Sequence, residues 1–456
     1  MNGMLQVFRN AWVDTQLRKK ILYTLFIIIL FRLGSCIFVP FLDNNAITEM
    51  ISGASLLNYL DVMTGGAFGK GTLLAMSITP YINASIIIQL LTVAIPPLER
   101  LQKEGEAGMK KLNTITKLTA LAIALFQAIA FYFTLRNGIN SDNSPHRAIL
   151  KYGDVYDNSS DMFAVILSAI TIVMCFVAGA SVIIWLGDRI NERGIGNGIS
   201  ILLFAGIVAR FPETVRNFAG IVGSDPDNLG ANLIFIIVTV IIFIAMIWFV
   251  IFMTNAERRI PVQYAKRVVG RKMYGGQSTH IPIKVAMSGV MPIIFAMSLM
   301  SLPQTILFFF GITGDNSSGH PFWEGFVRFF NTNSPFYAIL YFLLIIGFNY
   351  FYVAITYNPV EIANNLKKNN GAIPGYRPGK PTSDFIKNSM NKITLIGAVF
   401  LGVIAIFPII LSQINPNFSA VSLGGTTLLI IVGVALETVR SLESQIMMRH
   451  HPGFLD

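Results

Sequence analysis

Ten stretches nearly free of charge recur along the chain, centred near Ile29, Ser85, Ala124, Met174, Phe204, Ile241, Phe295, Leu344, Val403 and Ile431. About 20 apolar residues carry a helix across the hydrocarbon core of a bilayer, so each stretch predicts a membrane-spanning helix. The first follows "FRNAWVDTQLRKK", is longer than the apolar core of a signal peptide and has no small-residue cleavage site behind it. It is expected to stay.

Split five and five, the interrupted spans fall at matching places. Span 2 carries Pro80 and span 7 carries Pro292; span 5 opens on "RGIGNGIS" and span 10 on "LGGTT". An odd number of spans per half gives two similar halves opposite topology, and interrupted segments at corresponding places point to a pathway between them. The pattern predicts an all-α polytopic membrane protein of ten transmembrane helices in two inverted halves, residues 1–210 and 211–456. Glycine and proline are also frequent in membrane helices generally, and that plainer reading stays open at this point.

Span 2 is the most informative. Ile78, Ile82 and Ile86 recur every four residues and form one helical stripe. Asn83 and Gln89 place amides where hydrocarbon penalises them unless they meet protein or water. A branched apolar stripe beside polar positions fits a constriction that excludes water, and it fits equally a face packed on lipid or on a neighbouring helix. Before this span, glycines at 65, 66, 69 and 71 make a small-profile segment. Its "GKG" is not a phosphate loop, because Thr64 and Gly71 hold the positions that need glycine and a hydroxyl residue.

Composition agrees with the spans: 53% of residues are hydrophobic and 13% charged, above a soluble chain's apolar share and well below its charged share. Cys36 and Cys175, the only cysteines, both lie in apolar stretches and offer neither a disulfide framework nor a metal cage. Of the 34 lysines and arginines, 24 fall before span 1, after span 10 or in every second connection, against 7 on the other side. Cytoplasmic loops hold that excess, so both termini are expected to be cytoplasmic.

Carboxylates are missing from the middle of the spans, where ion-coupled transporters and proton relays keep them, and Arg32 is the one guanidinium inside a span. Gln127 in span 3 is an uncharged amide suited to a polar interior or to a helix–helix hydrogen bond. No His-Glu-x-x-His or Gly-x-Ser-x-Gly motif occurs, and no enzyme activity, metal or cofactor is expected. The main charge feature is the loop 255–287, where Arg258, Arg259, Lys266, Arg267, Arg271, Lys272 and Lys284 accompany the single acid Glu257. The stretch Asn365 to Thr382, within loop 358–391, adds Lys367, Lys368, Arg377 and Lys380. Two long basic loops on one side suit RNA phosphate or an acidic protein surface, and equally suit topology and anionic head groups.

The segments "MTGGAFGKGTLLAMSITPYINASIIIQLL", "KEGEAG", "ERGIGNGISILLFAGIV", "RRIPVQYAKR", "QSTHIPIKVAMSGVMPIIFA", "NPVEIANNLKKNNGAIPGYRPGK" and "LGGTTLLIIVGV" run from the second span to the last. In them the chain resembles the SecY family, pore subunits of the bacterial protein-conducting channel. The resemblance implies a central hourglass pore between the halves and a lateral gate to lipid. It implies a pore ring of Ile78, Ile82, Ile199, Leu203, Ile294 and Ile430; Leu203 stands where relatives often have isoleucine, and Thr79 where they often have Met or Asn. It implies a plug at about 58–70, including Asn58, Gly65, Gly66, Gly69 and Lys70, and a polar gate seam near Asn83 and Gln127. Ribosome or SecA contacts would be Arg258, Arg259, Lys266, Arg267, Arg271, Lys272 and Arg377. The implied partners are SecE and SecG, the motor ATPase SecA, the ribosome, signal-sequence-bearing precursors and membrane lipids, in the bacterial cytoplasmic (inner) membrane. The competing reading is a five-plus-five inverted-repeat transporter of small solutes, which requires intramembrane charges.

Overall fold

The computed structural model describes residues 9, 11–52, 61, 64–137, 149, 162–212, 215–216, 229–264, 267–269, 272–274, 278–309, 329–330, 334–414 and 424–450. The fold is that of an all-α polytopic membrane protein, and every predicted span centre lies in a helix. In chain order these are α1 (Thr15–Gly34), α2 (Asn44–Ser52), α3 (Thr79–Ala94), α4 (Pro96–Lys103), α5 (Glu106–Asn137), α6 (Met162–Arg193), α7 (Gly198–Val208) and α8 (Leu229–Asn255). They continue with α9 (Met291–Phe309), α10 (Pro335–Thr356), α11 (Pro359–Lys368), α12 (Lys380–Ile414) and α13 (Gly424–His450). Among them α2, α4 and α11 are short connecting helices. The axis turns by 100° between α3 and α4, at Pro96–Pro97, because the residue before a proline is pushed out of the helical region.

The chain forms two compact units, one of residues 1–226, 298–337 and 434–456 and the other of 227–297 and 338–433. In the first, α1 buries Leu17, Thr24, Ile27 and Phe31 and leaves Leu22, Phe26, Ile29 and Leu33 exposed, the split expected of a helix between protein and lipid. Thr24 Oγ1 accepts the Ile195 N–H at 3.3 Å, which ties α1 to the α6–α7 junction. A core of small and aromatic residues, including Ala124, Ala128, Phe131, Phe176 and Ala180, joins α5 to α6, and Lys117 meets Asp188 at 2.6 Å. Small residues let membrane helices approach closely where no hydrophobic force drives them together.

In the second unit α8 exposes Ile237, Ile241, Ile244 and Trp248, a face suited to lipid. Polar contacts knit the rest. The Ser288 hydroxyl donates to Asn349 Oδ1, and Asn349 Nδ2 donates to the Thr394 carbonyl at 2.9 Å. The Asn349 amide thus ties α10 to α12 and to the segment ahead of α9. Replacing Asn349 by leucine is expected to lower the stability of this unit by about 1 kcal/mol, the usual scale for hydrogen bonds between membrane helices. Thermal unfolding in detergent would register the loss.

The second unit also carries a small sheet. Strands β1 (Glu257–Tyr264), β2 (Arg267–Val269), β3 (Lys272–Tyr274), β4 (Ser278–Lys284) and β5 (Gly371–Ala372) form a three-stranded sheet in the order β4-β1-β5 and a β2–β3 ribbon. Its β1–β4 pairing is antiparallel, from Glu257 opposite Lys284 to Gln263 opposite Ser278. Along β1 burial alternates, with Ile260 and Val262 inward and Arg259 and Pro261 outward, the period of two that a half-buried strand needs. β5 pairs β1 only at Gln263 and Tyr264, so Pro261, which has no N–H to give, stands where no third strand needs one.

Candidate functional site

The glycine-rich segment ahead of α3 is folded back into the first unit. Val39 N–H donates to the Gly71 carbonyl at 3.1 Å and Leu73 N–H to that of Ile37 at 2.8 Å. Thr48 Oγ1 donates to the Gly69 carbonyl at 3.2 Å. Phe68, buried, sets its ring 4.7 Å from Phe131 of α5, and Phe131 sets its own 5.4 Å from Phe176 of α6.

The glycines here answer to close approach. Gly65 has φ +69, and a β-carbon on it would lie 2.5 Å from the Gly206 carbonyl oxygen of α7 and 3.0 Å from Arg32 Nη1. Only glycine meets both conditions. Gly69 passes Asp61 as closely, its N–H donating to Asp61 Oδ1 at 2.5 Å. The other Asp61 carboxylate oxygen meets Arg210 Nη1, just beyond α7, at 3.2 Å. Sequence reasoning missed both partners of this pair. Asp61 is the one carboxylate between Glu49 and Glu99, a signal that could have drawn attention to it.

The segment joins α3 through Ser77, at φ +49. Left-handed backbone is uncommon for a residue with a side chain. α3 then begins at Thr79 with Pro80 in its first turn, where a fixed φ and a missing N–H cost nothing. Ile78, buried, caps this start, and Ile82 N–H donates to the Ile78 carbonyl at 3.0 Å. Ile82 is half-buried and Ile86 buried.

On α7, Ile199 is half-buried and Leu203 buried. Positions 199, 203 and 206 follow helical spacing and fall on one stripe. Two expected ring positions therefore share a face of α7 with Gly206, which Gly65 approaches, while Arg210 lies past the helix end at Val208. In the second unit Ile294, in the first turn of α9, and Ile430 of α13 are both buried. Asn83 is buried, and its Oδ1 finds no hydrogen-bond partner among the described residues, a costly arrangement in an apolar setting. Gln127 is half-buried on α5. Asn58 lies outside the described residues; Gly66 is half-buried and Lys70 exposed.

The two basic loops, far apart in the chain, are one structure, joined where Gln263 pairs with Ala372 and Tyr264 with Gly371. Ile260, Val262 and Ile283 of the sheet share a core with Leu366, Ile373, Ile386, Met390 and Ile393. A cleft of about 180 Å³ opens beside this core, lined by Ile281, Met287, Tyr357 and Ile362 among others. Arg258, Arg259 and Arg377 are exposed, with Arg259 Nε on Glu257 at 2.8 Å. Arg267 and Lys272 fall on the β2–β3 ribbon, opposite Tyr274 and Val269. Lys266 and Arg271 lie outside the described residues.

The chain is thus a multi-pass helical membrane protein that packs a connecting segment against its own spans and joins two basic loops in one sheet. The sequence profile of the family described as SecY matches residues 72–439. The "Protein translocase subunit SecY" of Streptomyces scabiei is 40% identical over 461 residues, covering 99% of this chain and 100% of that protein. Among solved structures, a SecY whose plug domain is described as stabilising the closed state of the translocation channel matches with TM-score 0.61 at 21% identity, over 97% of this chain and 96% of that one. Sec61 in the canine ribosome–channel complex matches with TM-score 0.59 at 19% identity, over 97% and 96%. The chain belongs to the SecY family.

Proposed function

We propose that this chain is the channel subunit of a protein translocase, conducting unfolded secretory polypeptides across the membrane and releasing sufficiently apolar segments sideways into lipid. Full-length identity to a translocase subunit carries this reading. A small-solute transporter is not favoured, since neither the family nor the span centres, free of carboxylates, support one. The subunit is not catalytic. A translating ribosome or the SecA motor drives the chain through, and an apolar constriction closes round it to hold back ions.

The finer assignments rest on the resemblance and on the local geometry. Ile78, Ile82, Ile199, Leu203, Ile294 and Ile430 form the ring between the halves 1–210 and 211–456. Residues 58–70 form the plug, an assignment supported by the packing of Phe68 and Gly65 in the first unit. Asn83 and Gln127 belong to the gate seam, where the unpartnered Asn83 Oδ1 lowers the cost of opening toward a signal helix. Arg258, Arg259, Lys266, Arg267, Arg271, Lys272 and Arg377 dock the ribosome or SecA. SecE and SecG complete the complex, which sits in the bacterial inner membrane with both termini of this chain cytoplasmic.

Site-specific photocrosslinking tests the reading. A photoreactive residue at Ile82 is expected to capture a stalled secretory precursor only when its signal sequence is intact, and one at exposed Ile241 to capture none. Silence at Ile82 during demonstrable translocation would remove the ring assignment.

A further inference from the structure

We infer that the Asp61–Arg210 ion pair is the latch of the plug, and that it sets how strong a signal sequence must be to open the channel. The inference rests on the reading of 58–70 as the plug and adds to it a residue pair that determines specificity. Asp61 is buried, 7% exposed, and its contacts fall into two kinds. One kind is internal to the segment: its carbonyl accepts the Gly66 N–H at 2.9 Å and the Thr64 hydroxyl at 3.0 Å, and Oδ1 accepts the Gly69 N–H at 2.5 Å. These bonds tie Asp61 to Thr64, Gly66 and Gly69 within the segment itself.

The other kind is external. Oδ2 meets Arg210 Nη1 at 3.2 Å, and this link must break when the segment leaves α7. Four residues earlier, the Gly206 carbonyl receives Gly65, so the seat is one face of α7 with the charge at its end. Two opposite charges held away from water attract strongly but tolerate separation badly. Half-way out, this pair is broken and little solvent has been gained in exchange; fully out, water hydrates the carboxylate. The pair therefore penalises partial displacement and makes the plug two-state, seated or released. A signal segment must supply the difference between those states, because a ligand shifts an equilibrium only by its differential affinity for the two.

The complete translocase complex, with this full chain, would be examined in planar bilayers and in proteoliposomes. Asp61→Asn keeps an oxygen to accept the Gly69 N–H and removes the charge, so it isolates the latch from the bonds within the segment. Asp61→Asn and Arg210→Gln are each expected to raise resting ion current by about tenfold or more and to admit a precursor with a weakened signal sequence. The double variant is expected to leak no more than the single ones, because either change alone breaks the link and the second removes the charge the first leaves behind. If Asp61→Asn has wild-type resting current and signal requirement while its precursor-opened current is intact, or if the two effects multiply in the double variant, the latch is overturned. Failure of the channel reading looks different, with wild-type complex passing no current even with precursor. Should Asp61→Asn not assemble, Arg210→Lys keeps the charge and gives up the guanidinium geometry. Its leak must then lie between wild type and Arg210→Gln, and equality with Arg210→Gln would overturn the charge argument.

Discussion

Under the docking role proposed above for the basic loops, replacing Val262 by aspartate is expected to weaken ribosome or SecA binding by more than about 100-fold while the membrane-spanning helices remain folded. Val262 is fully buried in the core that β1 shares with β4 and with α11 and α12. A carboxylate there has no partner among the apolar side chains around it, and burying an unpaired charge costs several kcal/mol at the least. The junction between the two loops would yield before the spans do, since β1 is held to β5 by only two residue pairs. Both basic loops would then lose their common platform together. Binding that depends on many weakly placed cations falls steeply when they are no longer held in register, because each loses its ordering advantage.

A contrast variant separates platform from charge. Arg258→Ala with Arg377→Ala leaves the core intact and should cut affinity more modestly. It should also reduce the salt dependence of binding by about one unit of slope for each phosphate no longer neutralised. Co-sedimentation with ribosomes across a salt series would read both quantities. Wild-type binding by Val262→Asp, with proteolysis reporting the loops opened, would mean that the docking surface lies elsewhere.

What was legible in the sequence follows from the length scale of each signal. The spans are encoded by runs of about 20 apolar residues, and each of the ten expected centres falls in a helix. The sheet is encoded by "RIPVQY" and "THIPIK", whose alternation is short and interrupted by Pro261 and Pro282. Prolines demote a strand unless it stands at an edge, and only the pairing order reveals that β4 is an edge and that β1 has an open flank at Pro261. The joining of loops 255–287 and 358–391 was beyond sequence reasoning because it rests on two residue pairs far apart in the chain.

The glycines teach a related lesson. Read along the chain, Gly65, Gly66, Gly69 and Gly71 signal a small, pliable segment. In the fold, Gly65 and Gly69 are the points where backbone passes Gly206 and Asp61 too closely for a side chain. The same residue type serves both purposes, and sequence cannot tell fit from freedom. Asp61 and Arg210 were obscured for another reason: each is an unremarkable loop charge by composition, and only their 3.2 Å approach makes them a pair.

The second large effect concerns Phe68. Phe68→Ala is expected to destabilise the seated segment by about 3–5 kcal/mol, the usual cost of truncating a buried aromatic. Phe68 is 6% exposed and begins an aromatic chain through Phe131 to Phe176, so the cavity left behind is bounded by two helices that cannot easily collapse into it. Where that energy goes depends on whether the segment moves. If residues 58–70 leave their seat during opening, the missing packing belongs to the closed state, and at about 1.4 kcal/mol per decade the closed state loses roughly two to three and a half orders of magnitude against the open one. The result would be a standing ion leak with little change in the unfolding temperature of the rest of the complex. If the segment is instead a fixed part of the first unit, the same energy appears as lost thermal stability with no leak. Measuring current and unfolding temperature on the same Phe68→Ala complex therefore distinguishes a movable seal from a static one, and Phe176→Ala, one ring further along the same aromatic chain on α6, should lower stability in either case.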